Sequence, residues 1–90
     1  MKYNTDQLNR INKQVLRLGG ESQKSVWSLI KSNGEIRLGD IAKRLGKDRS
    51  AISSAINALI GYNLVERYTD ESGNVVRGVY AVSNYIMRGE

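Results

Sequence analysis

The sequence predicts a mainly α chain with one small β-hairpin, an α+β fold in a single domain spanning residues 1–90. Three observations carry this expectation. Apolar residues recur three and four apart in four separate stretches, which is the helical period. Glycines stand where those stretches stop, at Gly19-Gly20, Gly34, Gly46 and Gly61. Two short stretches rich in valine and tyrosine then flank a polar run at 69–74, the pattern of a hairpin.

The first helix is expected over 5–18. Thr5 is its candidate cap, and Leu8, Ile11, Val15 and Leu18 form its apolar row. Arg10, Lys13 and Arg17 give it a cationic back, and residues 1–4 read as frayed. The apolar row suits either cover for the chain's own core or the interface of a homodimer. The dimer is the reading favoured, with Leu8, Ile11, Val15 and Leu18 as its surface and the tail 85–87 as a second contributor. A second helix starts at Glu21 or Ser22, buries Val26, Trp27, Leu29 and Ile30, and stops at Asn33-Gly34. Glu35-Ile36-Arg37 is a short strand. The third helix runs from Leu38 or Gly39 to Leu45, with Leu38, Ile41, Ala42 and Leu45 inward. Gly46 makes the turn, where a positive φ costs little. Asp48 is the expected cap of the fourth helix, its carboxylate accepting from free N–H groups of the first turn. That helix reaches about Ile60 and buries Ile52, Ala55, Ile56 and Leu59, leaving Arg49, Ser50, Ser53, Ser54 and Asn57 on the opposite side. The hairpin follows over 64–82. The last eight residues show no clear pattern.

Composition excludes several classes of function. Ninety residues can bury one modest core, with little room for an enclosed active site. There is no cysteine and no histidine, which removes disulfides, thiolate metal sites, the commonest general base and the commonest metal ligand. No catalytic residue, metal site or cofactor is therefore expected, and the protein is not expected to be an enzyme. No apolar run approaches the length of a membrane span, and the first ten residues lack a signal-peptide core. A cytoplasmic, nucleoid-associated protein is the expectation. The net charge of +5 is unevenly spread: residues 1–20 and 21–50 each carry +3, and residues 51–90 carry −1. Such a basic half suits an anionic polymer, although charge alone also suits plain solubility.

The densest cationic run is KRLGKDR at 43–49, four cations against one acid. It lies at the turn between the third and fourth helices and at the start of the fourth. A helix that begins in basic residues and continues in small polar ones suits a DNA major groove.

The stretches LGDIAKRLG (38–46), SAIS (50–53), Ala58-Leu59 through Gly61, and LVER (64–67) resemble the winged helix-turn-helix fold. In detail they resemble small prokaryotic-type regulators, bacterial, archaeal, plasmid or viral, of the MarR and ArsR kind. The likeness covers residues 22–82. It implies that helix 38–45 packs across the DNA backbone, that helix 48–60 reads the groove, and that hairpin 64–82 is the wing. It specifies a fold well and a DNA target hardly at all. Carried over residue by residue, Arg49 is a candidate for guanine and Asn57 for adenine. Ser50, Ser53 and Ser54 are candidates for bases or phosphates, and Lys43, Arg44 and Lys47 for phosphates. The bland alternatives are that Arg49 balances Asp48, that Lys43 and Arg44 are merely solvated, and that Asn57 is surface filler. The wing tip departs from the pattern, because Asp70-Glu71 stands where such wings often carry cations. Arg67 and Arg77, lower on the strands, remain candidates for the DNA backbone, and the tip becomes a candidate surface for a protein partner.

These residues together point to a sequence-specific double-stranded DNA-binding transcriptional regulator acting as a homodimer. A DNA-organising or partition-type adaptor that spreads along DNA is the second reading. A winged-helix module that binds only protein is the third.

Overall fold

Helix α1 (Thr5–Val15) starts where the sequence suggests, but Asn4 and not Thr5 is its cap. In the computed structural model, which describes residues 3–87, the Asn4 side chain accepts from the Gln7 backbone N–H at 2.8 Å. The Gln7 side chain in turn accepts from the Asn4 N–H at 2.7 Å. This reciprocal box satisfies two donors that the first turn leaves free. It also draws Gln7 to the inner side of the helix. The buried row of α1 is accordingly Gln7, Ile11 and Gln14, continued by Leu18.

That row turns two of the four residues expected at a dimer surface inward. Ile11 and Leu18 are only 5% and 7% exposed and lie in the chain's own core. Leu8 is 46% exposed and Leu16 87% exposed, with Val15 partly buried between them. The helix also stops at Val15, short of 18. Arg17 and Leu18 donate to Gln14 and Val15 three residues back, a tight turn that tucks Leu18 inward.

Helix α2 (Glu21–Asn33) buries Val26, Trp27 and Ile30 and leads through Gly34 into β1 (Glu35–Arg37). Helix α3 (Leu38–Leu45) buries Ile41 and Ala42 and ends at Gly46, whose left-handed conformation (φ 63°, ψ 37°) makes the expected turn. Helix α4 (Arg49–Gly61) buries Ile52, Ala55, Ile56 and Leu59, as expected. Asp48 sits at its cap position with extended backbone, but its carboxylate makes no capping bond.

Strands β2 (Val65–Thr69) and β3 (Val75–Val82) form the hairpin, and the sheet order is β1-β3-β2, antiparallel throughout. The ladder pairs Arg67 with Tyr80 and then Thr69 with Val75, so four residues of β3 face Tyr68 alone. This bulge contains Gly78 at φ 76°, a conformation that side chains with a Cβ rarely adopt. At the tip, the Asp70 carboxylate accepts from the N–H groups of Ser72 and Asn74, both at 2.9 Å. Asp70 is thus a turn-closing residue.

The stretch left unread in the sequence contains a short helix, α5 (Asn84–Met87). Buried Ser83 starts it. Its hydroxyl donates to the carbonyl of Asn63 at 2.5 Å and its N–H to Leu64 at 3.0 Å. Ile86 is fully buried. The Met87 side chain, also expected on the dimer surface, lies outside the described residues. Arg10, expected on the solvated back of α1, instead reaches α5: its guanidinium donates to the Tyr85 carbonyl at 2.6 Å and lies 4.9 Å from the Tyr85 ring centroid.

The core joins the helices and the β2 end of the sheet through Ile30, Ile41, Ile52, Ile56, Leu59, Leu64 and Ile86, each essentially inaccessible to solvent. Each such side chain contributes on the order of 2 kcal/mol by its burial. Among the described residues no helix is long and apolar enough to cross a membrane.

Candidate nucleic-acid interface

Most of the candidate residues fall on the outer row of α4 or in a cleft between α3, α4 and β3. Successive residues of an α-helix turn by about 100°. With Ile52, Ala55, Ile56 and Leu59 fixed inward, Ser50, Ser54 and Asn57 fall in one row on the far side of α4. All three are exposed, as is Ala51 beside them, while Ser53 is half-buried at the edge. The row is short-chained and uncharged, so it leaves the helix backbone open to close approach.

Cations frame that row. Lys43 and Arg44 are exposed in the last turn of α3, and Lys47 in the turn that follows. Lys47 donates to the Ser22 hydroxyl at 3.1 Å, which links the start of α4 to the start of α2. Arg49 opens α4, yet it does not join the Ser50 row. Its guanidinium runs back over the first turn of α3, with Nη2 3.1 Å and Cζ 3.6 Å from where a Cβ on Gly39 would stand. A Cβ on Gly39 would press this flexible side-chain end outward by a few tenths of an ångström.

There Arg49 meets Arg37, Lys43 and Arg77 around an open cleft of about 560 Å³ whose one carboxylate is Asp40. The bulge of β3 supplies the far wall, because it places Arg77 and Gly78 beside α3. Arg67 lies next to Arg77 in an adjoining recess of the wing. The structure therefore brings Lys43, Arg49 and Arg77 together, with Arg67 near. It sends Arg44 to a neighbouring recess with Asn33, Glu35 and Tyr68. Arg37 was missed in the sequence. Its place in the residue just before α3, on a strand that pairs beside the bulge, was the available signal.

The local electrostatics favour anions. The first turns of α2, α3 and α4 carry no side-chain cap, whereas α1, which contributes nothing to the row or the cleft, is fully capped. Uncapped N–H groups and the helix dipole leave partial positive charge at those three starts, offset by Glu21 in the first turn of α2 and Asp40 in that of α3. At the wing, Tyr68 has its pKa raised above the ordinary 10.0, first by the charge of Glu35, then by partial desolvation and by a hydrogen bond to the Glu35 carboxylate. Among the described residues no group of three or more His, Cys, Asp or Glu side chains could hold a metal ion.

Three helices stacked on a three-stranded sheet, with a glycine turn between α3 and α4 and a hairpin beside them, define a winged helix-turn-helix. Within that class the MarR family model matches residues 21–73, more than half of the sequence. The chain belongs to the MarR family. Of the two kinds of regulator the sequence resembles, this is the one matched.

Solved structures agree in fold. YusO from Bacillus subtilis superposes with a TM-score of 0.61 at 20% identity, over 93% of this chain and 62% of that one. Rv1404 from Mycobacterium tuberculosis gives a TM-score of 0.64 at 19% identity, over 93% and 56%. A mutant MarR from Escherichia coli in complex with operator DNA gives a TM-score of 0.60 at 20% identity, over 96% and 61%. The chain thus spans about three-fifths of the length of these proteins. Comparison with curated proteins gave no match.

Proposed function

We propose that this chain is a sequence-specific double-stranded DNA-binding transcriptional regulator that lays α4 in the major groove. The observation that carries the reading is the face around Gly46: an exposed row of Ser50, Ser54 and Asn57 framed by Lys43, Lys47, Arg49 and Arg77. A groove about 12 Å wide admits one helix, and small side chains let its backbone approach base edges. The cations and the uncapped helix starts meet phosphates. The E. coli MarR structure with operator DNA supports the reading by likeness of fold. The working form is a homodimer joined through Leu8, Val15 and Leu16 with Tyr85 nearby, and its place is the cytoplasm, at the nucleoid. Two-fold symmetry then sets paired α4 helices about 34 Å apart, one turn of DNA.

The test is a binding titration across salt concentrations. It uses a duplex enriched by the protein from a random-sequence pool, and the unselected pool itself. The expected result is a log-affinity that falls linearly with log salt on both, with the enriched duplex bound at least ~10³-fold more tightly. A steep salt slope with equal affinities would replace the regulator with a DNA-organising protein. No binding to either duplex would leave the protein-binding module.

A further inference from the structure

We propose that the cleft between the first turn of α3, Arg49 and the bulge of β3 seats one DNA backbone phosphate, and that Arg49 is its clamp and not a base reader. The proposal rests on the DNA-binding reading above and assigns a role within that face.

The position of Arg49 on its helix argues for this. Ser50, Ser54 and Asn57 point outward, and stepping back one residue from Ser50 turns Arg49 about 100° towards the side of Ile52 and Ile56. Its guanidinium follows that direction onto Gly39 and away from the outward row. The cleft it enters holds four cations, Arg37, Lys43, Arg49 and Arg77, against the carboxylate of Asp40. Four cations on four separate elements have no structural reason to converge, since like charges repel. An anion that bridges them removes that cost. A tetrahedral phosphate offers several acceptor oxygens to forked guanidinium donors approaching from different sides. A base edge offers a planar pair of acceptors deep in the groove, and a side chain folded back over α3 does not reach towards it. The bulge fits the same role. Without the extra residues of β3 and the left-handed Gly78, Arg77 would continue the regular alternation of the strand instead of lining the cleft. Sequence discrimination then falls to Ser50, Ala51, Ser54 and Asn57.

The experiment measures Arg49→Ala, Arg77→Ala and the double variant on the enriched duplex and on the unselected pool, with circular dichroism confirming the fold of each. Arg49→Ala is expected to lose about tenfold or more in affinity on both DNAs, with their ratio unchanged and the salt slope smaller by about one. Re-selection with Arg49→Ala is expected to enrich the same sequence. The double variant is expected to lose clearly less than the product of the two single losses, because both side chains hold one phosphate. A loss confined to the enriched duplex, or a re-selected sequence relaxed at one base pair, makes Arg49 a base reader and overturns the clamp while the DNA reading stands. Independent, multiplicative losses overturn the shared seat, and no loss on either DNA overturns the whole assignment. Failure of the unaltered protein to bind duplex brings down the DNA reading and the clamp together.

Discussion

At Gly78 the backbone, not the side chain, is what the wing needs. Its φ of 76° lies in the left-handed region, and nothing stands within 4 Å of where a Cβ would be. A side chain there meets open space but a strained backbone, which costs about 1–2 kcal/mol. Gly78→Ala is therefore expected to lower the urea midpoint without changing the m-value, and Gly78→Asn to lower it less, since asparagine tolerates this conformation. Equal losses for the two would mean that contacts and not φ set the cost. Asn63 shows the same economy with a different residue. It holds φ 62° without being glycine, and the Ser83 hydroxyl bonded to its carbonyl fixes it there. Asp70 is a third case in which a residue's evident property is not its use. Two N–H groups of the tip occupy its carboxylate oxygen, so the acid closes a turn. Glu71 remains the solvent-facing acid of the tip.

At the level of elements, the wing is tied to the body by more than its ladder. Tyr68 on β2 and Glu35 on β1 flank β3, and the carboxylate charge and hydrogen bond keep the phenol protonated above its ordinary pKa. The sign follows from proton linkage. The folded chain holds this proton more tightly than the unfolded chain, so the contribution is whole below pH 10 and declines as pH rises beyond it. Ultraviolet titration of the phenolate is expected to show Tyr68 ionising above pH 10, and Glu35→Gln to bring its midpoint back down. A midpoint unmoved by Glu35→Gln would remove the carboxylate as the cause. Helix α4, β1 and β3 were legible in the sequence because period and burial agree there: Ile52, Ala55, Ile56 and Leu59 allow one orientation. Helix α1 was not, because two rows fit its spacing. Leu8-Ile11-Val15-Leu18 is the more apolar, yet Gln7-Ile11-Gln14-Leu18 is buried, since the cap box at Asn4 turns Gln7 inward. Capping chemistry, which no apolar count contains, settled the rotation. Helix α5 was missed because it is one turn long and its anchor, Ser83, bonds to residues twenty positions back. The clustering of Arg49 with Arg77 was likewise out of reach, because a bulge and a glycine contact bring them together across the fold.

For the molecule as a whole, the rotation of α1 leaves Leu16 at 87% exposure and Leu8 at 46%. Burying an exposed leucine is worth on the order of 2 kcal/mol per protomer. Leu16→Glu is expected to convert a dimer to a monomer in sedimentation equilibrium while leaving the far-ultraviolet dichroism unchanged. A sedimentation profile identical to that of the unaltered protein would move the interface elsewhere. The same helix bears on how the chain opens. The bond from Arg10 to the Tyr85 carbonyl joins positions 75 residues apart. A contact of that sequence separation closes the longest loop in the fold, and its entropy is recovered only after the intervening elements have formed. It is exposed to solvent and rests on one side chain, so it belongs to the low end of local stability. That bond lets go first, while Ile11 of α1 and Ile86 of α5 stay in the core. The outer bond between the two ends of the chain can therefore open and reform while Ile52, Ile56 and Leu59 keep α4 in place.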